Sequence, residues 1–232
     1  ASLQHGIPHA HVCGGRGRCS TCRVRVIEGL AGLSRPSEAE SRVLKRIGAV
    51  EASPEGILFP DTYFLATGSS DVALLRRAYA ALHQRLDAAW ARRAPDSPLV
   101  TPYDALILAS IVEKETAHPN DRPLIASVFV NRLKRGMRLQ TDPTVIYGMG
   151  ARFDGNLRKR DLETDTPYNT YMRDGLPPTP IALPSQASID VVMNPPKTAY
   201  LYFVSRGDGT SEFSANLSDH NRAVSKYQKG GR

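Results

Sequence analysis

A chain of 232 residues that is 41% hydrophobic and 23% charged can bury a core and is not a disordered polymer. Its formal charge of +7 is spread along the chain, which favours an anionic partner such as anionic lipid or an acidic glycan and gives no specific pointer to nucleic acid. No apolar run approaches the roughly 20 residues of a membrane span, and the first residues lack the charged start and apolar middle of a signal peptide, so the chain as written is expected to be soluble and to carry no address.

Residues 1–50 hold all three cysteines. Cys13, Cys19 and Cys22 stand in "HVCGGRGRCSTCRVRV" at a C-x5-C-x2-C spacing. An odd, clustered set suits metal ligation better than a disulfide framework. Plant-type 2Fe–2S ferredoxins use C-x4-C-x2-C and a distant fourth cysteine. On "GIPHAHVCGGRGRCSTCRVRV" and "PSEAESRVLKRIGA", residues 1–50 resemble part of the ferredoxin-like domain attached to some bacterial adenylate cyclases. The resemblance implies Cys13, Cys19 and Cys22 as iron–sulfur ligands, but no later cysteine supplies a fourth. A zinc site completed by His9 or His11 is one alternative. Three free thiols on an incomplete ferredoxin-like segment are favoured over both. "EASPEG" at 51–56 reads as a linker.

Beyond it, helices alternate with turn-rich stretches. Residues 71–93 carry Leu75, Ala78, Tyr79, Leu82, Leu86, Ala89 and Trp90 at three- and four-residue steps, one apolar stripe of a helix. "TPYD" at 101–104 opens another, with Thr101 as N-cap, Pro102 at the first helical position and Asp104 closing a capping box; it should run to about Thr116. A third helix is expected from a cap at Asn120 to Gly136, burying Ile125, Val128, Phe129 and Leu133. Residues 137–185 are rich in Pro, Gly, Asn, Asp and Thr and read as a long irregular region, where function concentrates. Strands follow at 199–206 and about 211–215 across "GDGT", then a short helix from about Ser218.

The stretch "ILASIVEKET" at 107–116 places two glutamates on the second of these helices. At about 100° per residue, Glu113 and Glu115 point away from each other and cannot act as a pair. Glu115 continues the line of Leu108, Ile111 and Val112, whereas Glu113 shares a thinner face with Leu106 and Ala109. A carboxyl on a buried stripe is held protonated by desolvation and by the negative helix end, as a general acid requires. A structural ion pair is the competing reading, and periodicity alone favours it somewhat.

"EGILFPDTY" (55–63), "ILASIVEKET" (107–116), "VFVNRLKRGMRLQTDPTVIYGMG" (128–150), "DTPYNTYMRDGLPPTPIALP" (165–184) and "NPPKTAYLYFV" (194–204) together resemble the endolytic murein transglycosylase family, the YceG-like or MltG proteins, over about 54–229. The resemblance implies an α+β catalytic domain over 54–232, and that the second glutamate of "EKE", Glu115, is catalytic. It also implies cleavage of the MurNAc–GlcNAc β-1,4 bond within peptidoglycan strands with formation of a 1,6-anhydro sugar. That reaction needs no cofactor, and the family implies a place at the inner membrane facing the periplasm, with peptidoglycan synthases as partners. Gln140, Asp142, Tyr168, Asn169, Tyr171 and Asn221 are the candidates for sugar binding. Asp142 and Asp61 are the candidates for a second, hydrolytic carboxylate, each more often a turn or cap residue; His118 is read as part of the helix end and His220 as a surface residue. The rival functions are an iron–sulfur electron-transfer or sensing module and a muramidase.

Overall fold

In the computed structural model of the chain, residues 38–64 and 70–229 are described. The helix α3 (Pro102–Glu115) organises them. Its run "ALILASIV" is apolar on every side, and Ala105 to Val112 are all buried. A helix without a polar face has to be enclosed. Around it pack α7 (Gln186–Met193), α4 (Asp121–Lys134), α2 (Asp71–Trp90) and α5 (Asp142–Met149). The sequence suggests a stripe on α3; the structure buries the whole circumference, so direction alone does not separate Glu113 from Glu115. Burial of each Leu or Ile here stabilises by about 1.5–3 kcal/mol. The one polar interior residue, Ser110, is satisfied: its hydroxyl donates to Ile107 O at 2.7 Å and accepts from Ile181 N at 2.9 Å.

Thr101 and Asp104 form the expected capping box, and Pro102 stands in the first turn. Asn120 does not cap α4 through its side chain; it is itself helical. α4 is also buried nearly all round, including Asp121 and Arg132. The antiparallel hairpin of β1 (Tyr202–Ser205) and β2 (Ser211–Ser214) pairs Tyr202 with Ser214 and Ser205 with Ser211. It packs on α4 through Phe129 and Phe203, edge to face at 5.9 Å. α8 (Leu217–Val224) covers the hairpin.

Three elements stand where irregular chain was expected or no helix was read: α5, the short α6 (Lys159–Glu163) and α7. The described part of residues 1–50 holds α1 (Glu38–Ile47). Leu44 and Ile47 enter the same core as α2 and α3. The stretch expected to be a linker is stitched in as well. Tyr79 donates to Glu51 at 3.0 Å, and His83 lies 3.1 Å from the same carboxylate. Gly56 has φ +80°, and a Cβ there would lie 2.3 Å from the Pro180 ring, so only glycine allows that approach. The boundary drawn at 51–56 is thus bridged by packing.

Candidate active site at the C-terminal end of the central helix

α3 delivers both glutamates at its last turn, and each meets a different set of partners. Glu113 turns to the N-terminus of α7. Its Oε2 accepts from Ser185 N at 3.1 Å, Ser185 Oγ at 2.6 Å and Ser188 Oγ at 2.7 Å. Burial works against its charge, but these donors, with Arg122 nearby, outweigh it and hold the carboxyl below its ordinary pKa. Glu113 is an ionised tie between two helices.

Among the described residues, Glu115 has one hydrogen-bonding partner, the hydroxyl of Thr141, which donates to its Oε1. Part of the residue remains accessible, yet the carboxyl stands among enough protein that desolvation pushes its pKa up to about 7, the Thr141 bond opposing and the charge of Asp142 adding to the rise. A carboxyl half-protonated near neutral pH can both give and take a proton.

Thr141 occupies the N-cap position of α5 but makes no cap bond with its side chain, because its hydroxyl serves Glu115. It is placed by the loop around 166–171. Thr141 N donates to Thr170 Oγ1 at 3.1 Å, Thr144 Oγ1 lies 2.9 Å from the same oxygen, and Gln140 N donates to Thr170 O at 3.1 Å. Gln140, which is exposed, has φ +51°, the one left-handed non-glycine among the described residues. Such strain costs about 1–2 kcal/mol and gathers at functional sites. Arg132 clamps it. This buried guanidinium donates to Leu201 O at 2.7 Å, Arg138 O at 3.0 Å, Leu139 O at 2.9 Å and Gln140 Oε1 at 3.1 Å, and it lies 5.1 Å from the centre of the Tyr202 ring.

Asp142 follows at the first position of α5, exposed. Its Oδ1 accepts from the Tyr171 hydroxyl at 2.6 Å. Burial, then Asp142 and the charge of Glu115, raise the Tyr171 pKa, so this phenol stays a donor. Glu115, Gln140, Asp142 and Tyr171 are therefore brought together.

The remaining candidates stand differently. Asn169 is fully buried, and its amide is committed to the loop: Nδ2 donates to Leu162 O at 3.0 Å and Thr164 O at 2.7 Å, and Oδ1 accepts from Tyr171 N at 2.9 Å. Tyr168 is buried against Tyr147, its hydroxyl 2.6 Å from Thr179 Oγ1. Both shape the loop and present no free face to a ligand. Asn221 is exposed on α8, next to His220, which stacks on Tyr202; it joins the cluster only through that chain of contacts. Asp61 is exposed, capping Thr62 N and 3.7 Å from Arg85. Cys13, Cys19, Cys22, His9 and His11 lie outside the described residues.

Thr141 and Arg132 are positions in the candidate site that the sequence reading missed. Thr141 looks like an ordinary helix cap before Asp-Pro. Arg132 had a signal: a cation three and four residues after Phe129 and Val128, on the face that must be buried.

The profile of the YceG-like family matches residues 18–226. An endolytic murein transglycosylase of Bacillus subtilis (strain 168) is 48% identical over 128 residues, 55% of this chain and 35% of that protein. That of Streptococcus pneumoniae serotype 2 (strain D39 / NCTC 7466) is 35% identical over 197 residues, 83% of this chain and 35% of its own length. The crystal structure of a YceG-like protein from Listeria monocytogenes superposes with a TM-score of 0.63 at 33% identity, over 78% of this chain and 62% of that one. The chain thus spans about a third of the length of the two transglycosylases. The family match reaches back across Cys19 and Cys22, and the ferredoxin resemblance of residues 1–50 gains no support from these likenesses.

Proposed function

This chain belongs to the YceG-like family, and from that premise we propose that it is an endolytic lytic transglycosylase acting on the glycan strands of peptidoglycan, with Glu115 as its acid and base. The observation that carries the reading is the contrast at the end of α3: Glu113 is met by three donors at the N-terminus of α7, whereas Glu115, partly accessible, is met by the Thr141 hydroxyl and has its pKa raised to about 7.

The reaction follows from one carboxyl. Protonated Glu115 donates to the glycosidic oxygen between MurNAc and GlcNAc as that bond breaks. The C6 hydroxyl of the same MurNAc attacks its anomeric carbon. The Glu115 carboxylate, oriented by Thr141, takes the C6 proton and returns to its starting state. The products are a 1,6-anhydro end and a free hydroxyl on the departing strand; no water is consumed and no cofactor is required. Gln140 and Tyr171 line the sugar site, Tyr168 and Asn169 hold its loop, and Asn221 borders it. Cleavage within nascent strands terminates them, which makes peptidoglycan synthases the natural partners.

The exposed carboxylate of Asp142 beside Glu115 gives a muramidase reading a foothold, since glycoside hydrolysis uses two carboxylates. Mass spectrometry of purified sacculi digested by the protein separates the two. Anhydro ends from the parent and none from Glu115→Gln support the transglycosylase; reducing ends, or equal turnover by the variant, refute it.

A further inference from the structure

The four residues 139–142 lead from the buried Leu139 to an exposed acid that the proton transfers above do not use. Asp142 is not a free surface carboxylate. Its Oδ1 is bound by the Tyr171 hydroxyl at 2.6 Å, and Tyr171 is in turn fixed by Asn169 Oδ1 on its backbone amide at 2.9 Å. Asn169 is fully buried. The backbone before Asp142 is pinned by Thr141 N on Thr170 and by the left-handed Gln140 under Arg132. A buried scaffold thus ends in one charged group, one residue away from the hydroxyl that touches Glu115.

Resting on the transglycosylase reading, we propose that Asp142, held by Tyr171, serves the reaction as a fixed negative charge that stabilises the positive charge developing on the sugar ring as the glycosidic bond breaks. Breaking that bond leaves oxocarbenium character at the anomeric carbon and ring oxygen before the C6 hydroxyl closes. A preorganised charge aimed at such a centre is among the most effective aids an enzyme has. Asp142 neither gains nor loses a proton and forms no bond. One of its oxygens is committed to Tyr171, and the residue is exposed. The same charge acts on Glu115 at rest, favouring its protonated form. One carboxylate thereby loads the acid and steadies the cation the acid creates.

The other charged groups about Glu115 have been placed. Tyr171 from the loop feels both carboxyls and the charge of Arg132 from α4, Glu113 is turned to α7, and His118 after the helix lies 3.5 Å from Asp121 at the start of α4. Asp142 is the charge that acts on Glu115 directly. A purely structural role for Asp142, as an acid in the first turn of α5, would show as lost stability and nothing else.

The test compares parent, Asp142→Asn and Tyr171→Phe in full-length chain. Anhydro-ended products from glycan strands are measured across pH 4.5–8.5, with melting temperatures alongside. Asp142→Asn should still form anhydro ends, with kcat lower by about 10²-fold, and the high-pH limb of its profile should move to lower pH. Tyr171→Phe should lose less activity and should not move that limb downward, because the charge remains. A carbon-13 titration of the Glu115 carboxyl reads the coupling without turnover: its midpoint should fall in Asp142→Asn. Activity of Asp142→Asn within twofold of parent, or a loss that follows its melting temperature with the limb and the midpoint unmoved, overturns the proposal. A parent that forms no anhydro ends, with the midpoint still falling in Asp142→Asn, refutes the transglycosylase reading while leaving the electrostatic pairing of the two carboxyls standing.

Discussion

Glu113 and Glu115 leave the same turn of α3 for two differently built regions. The region that receives Glu113 is rich in donors: the N-terminus of α7 offers a backbone amide and two serine hydroxyls to one carboxylate oxygen. The region that receives Glu115 offers it, among the described residues, a single hydroxyl, from Thr141. Burial raises the pKa in both places; only at Glu113 do enough donors compensate. The same side chain is thus a structural anion in one setting and a proton donor in the other, and the number of donors decides which.

The largest difference between the regions should appear on breaking each in turn. Glu115→Gln is expected to abolish turnover, a fall of about 10³-fold or more, with the fold retained; sacculus digestion measures it. Glu113→Ala should do the reverse. Losing a charged tie of three hydrogen bonds should cost about 2–4 kcal/mol of stability, read by denaturant unfolding, while activity well below the transition persists within a few-fold.

The two glutamates also oppose each other in pH dependence. Glu113, held below its ordinary pKa, stabilises the fold above the usual carboxylate range, and that stability is lost as pH falls. Glu115, raised to about 7, destabilises as it ionises, so its contribution worsens as pH rises from about 4.5 to 7. Glu115→Gln should therefore be more stable than parent by up to about 3 kcal/mol above pH 7, with the gap closing near pH 4.5. Thermal melts across pH measure it, and a constant gap would contradict the assignment.

A smaller change sharpens the comparison from the donor side. Thr141→Val removes the one bond that favours ionised Glu115. Activity should fall about 10-fold and the high-pH limb should move upward, opposite to the shift expected for Asp142→Asn. A limb that stays in place would mean the Thr141 hydroxyl does not act on Glu115.

The sequence carried some of this plainly. The capping box of Thr101 and Asp104, the apolar repeat of α2 and the hairpin across "GDGT" are local signals, and the structure has each of them. α7 was missed although Ser185 caps it, because a proline-rich run precedes it and its eight residues are too few for a clear period. The stripe argument singled out Glu115, but α3 is buried all round, and what separates the two glutamates is hydroxyls from Ser185, Ser188 and Thr141, which are remote in sequence. Asn169 and Tyr168 read as ligand groups because dense amides and phenols bind sugars; in the fold their polar atoms are bonded within the protein.

Site-resolved carbon-13 titration of the two carboxyls in the folded chain addresses the centre of this most directly. Glu115 should titrate with a midpoint of about 7 and Glu113 below the ordinary glutamate value. A Glu115 that titrates like a solvent-exposed glutamate would leave it without a proton to give at neutral pH, and its role as the acid of the reaction would be lost.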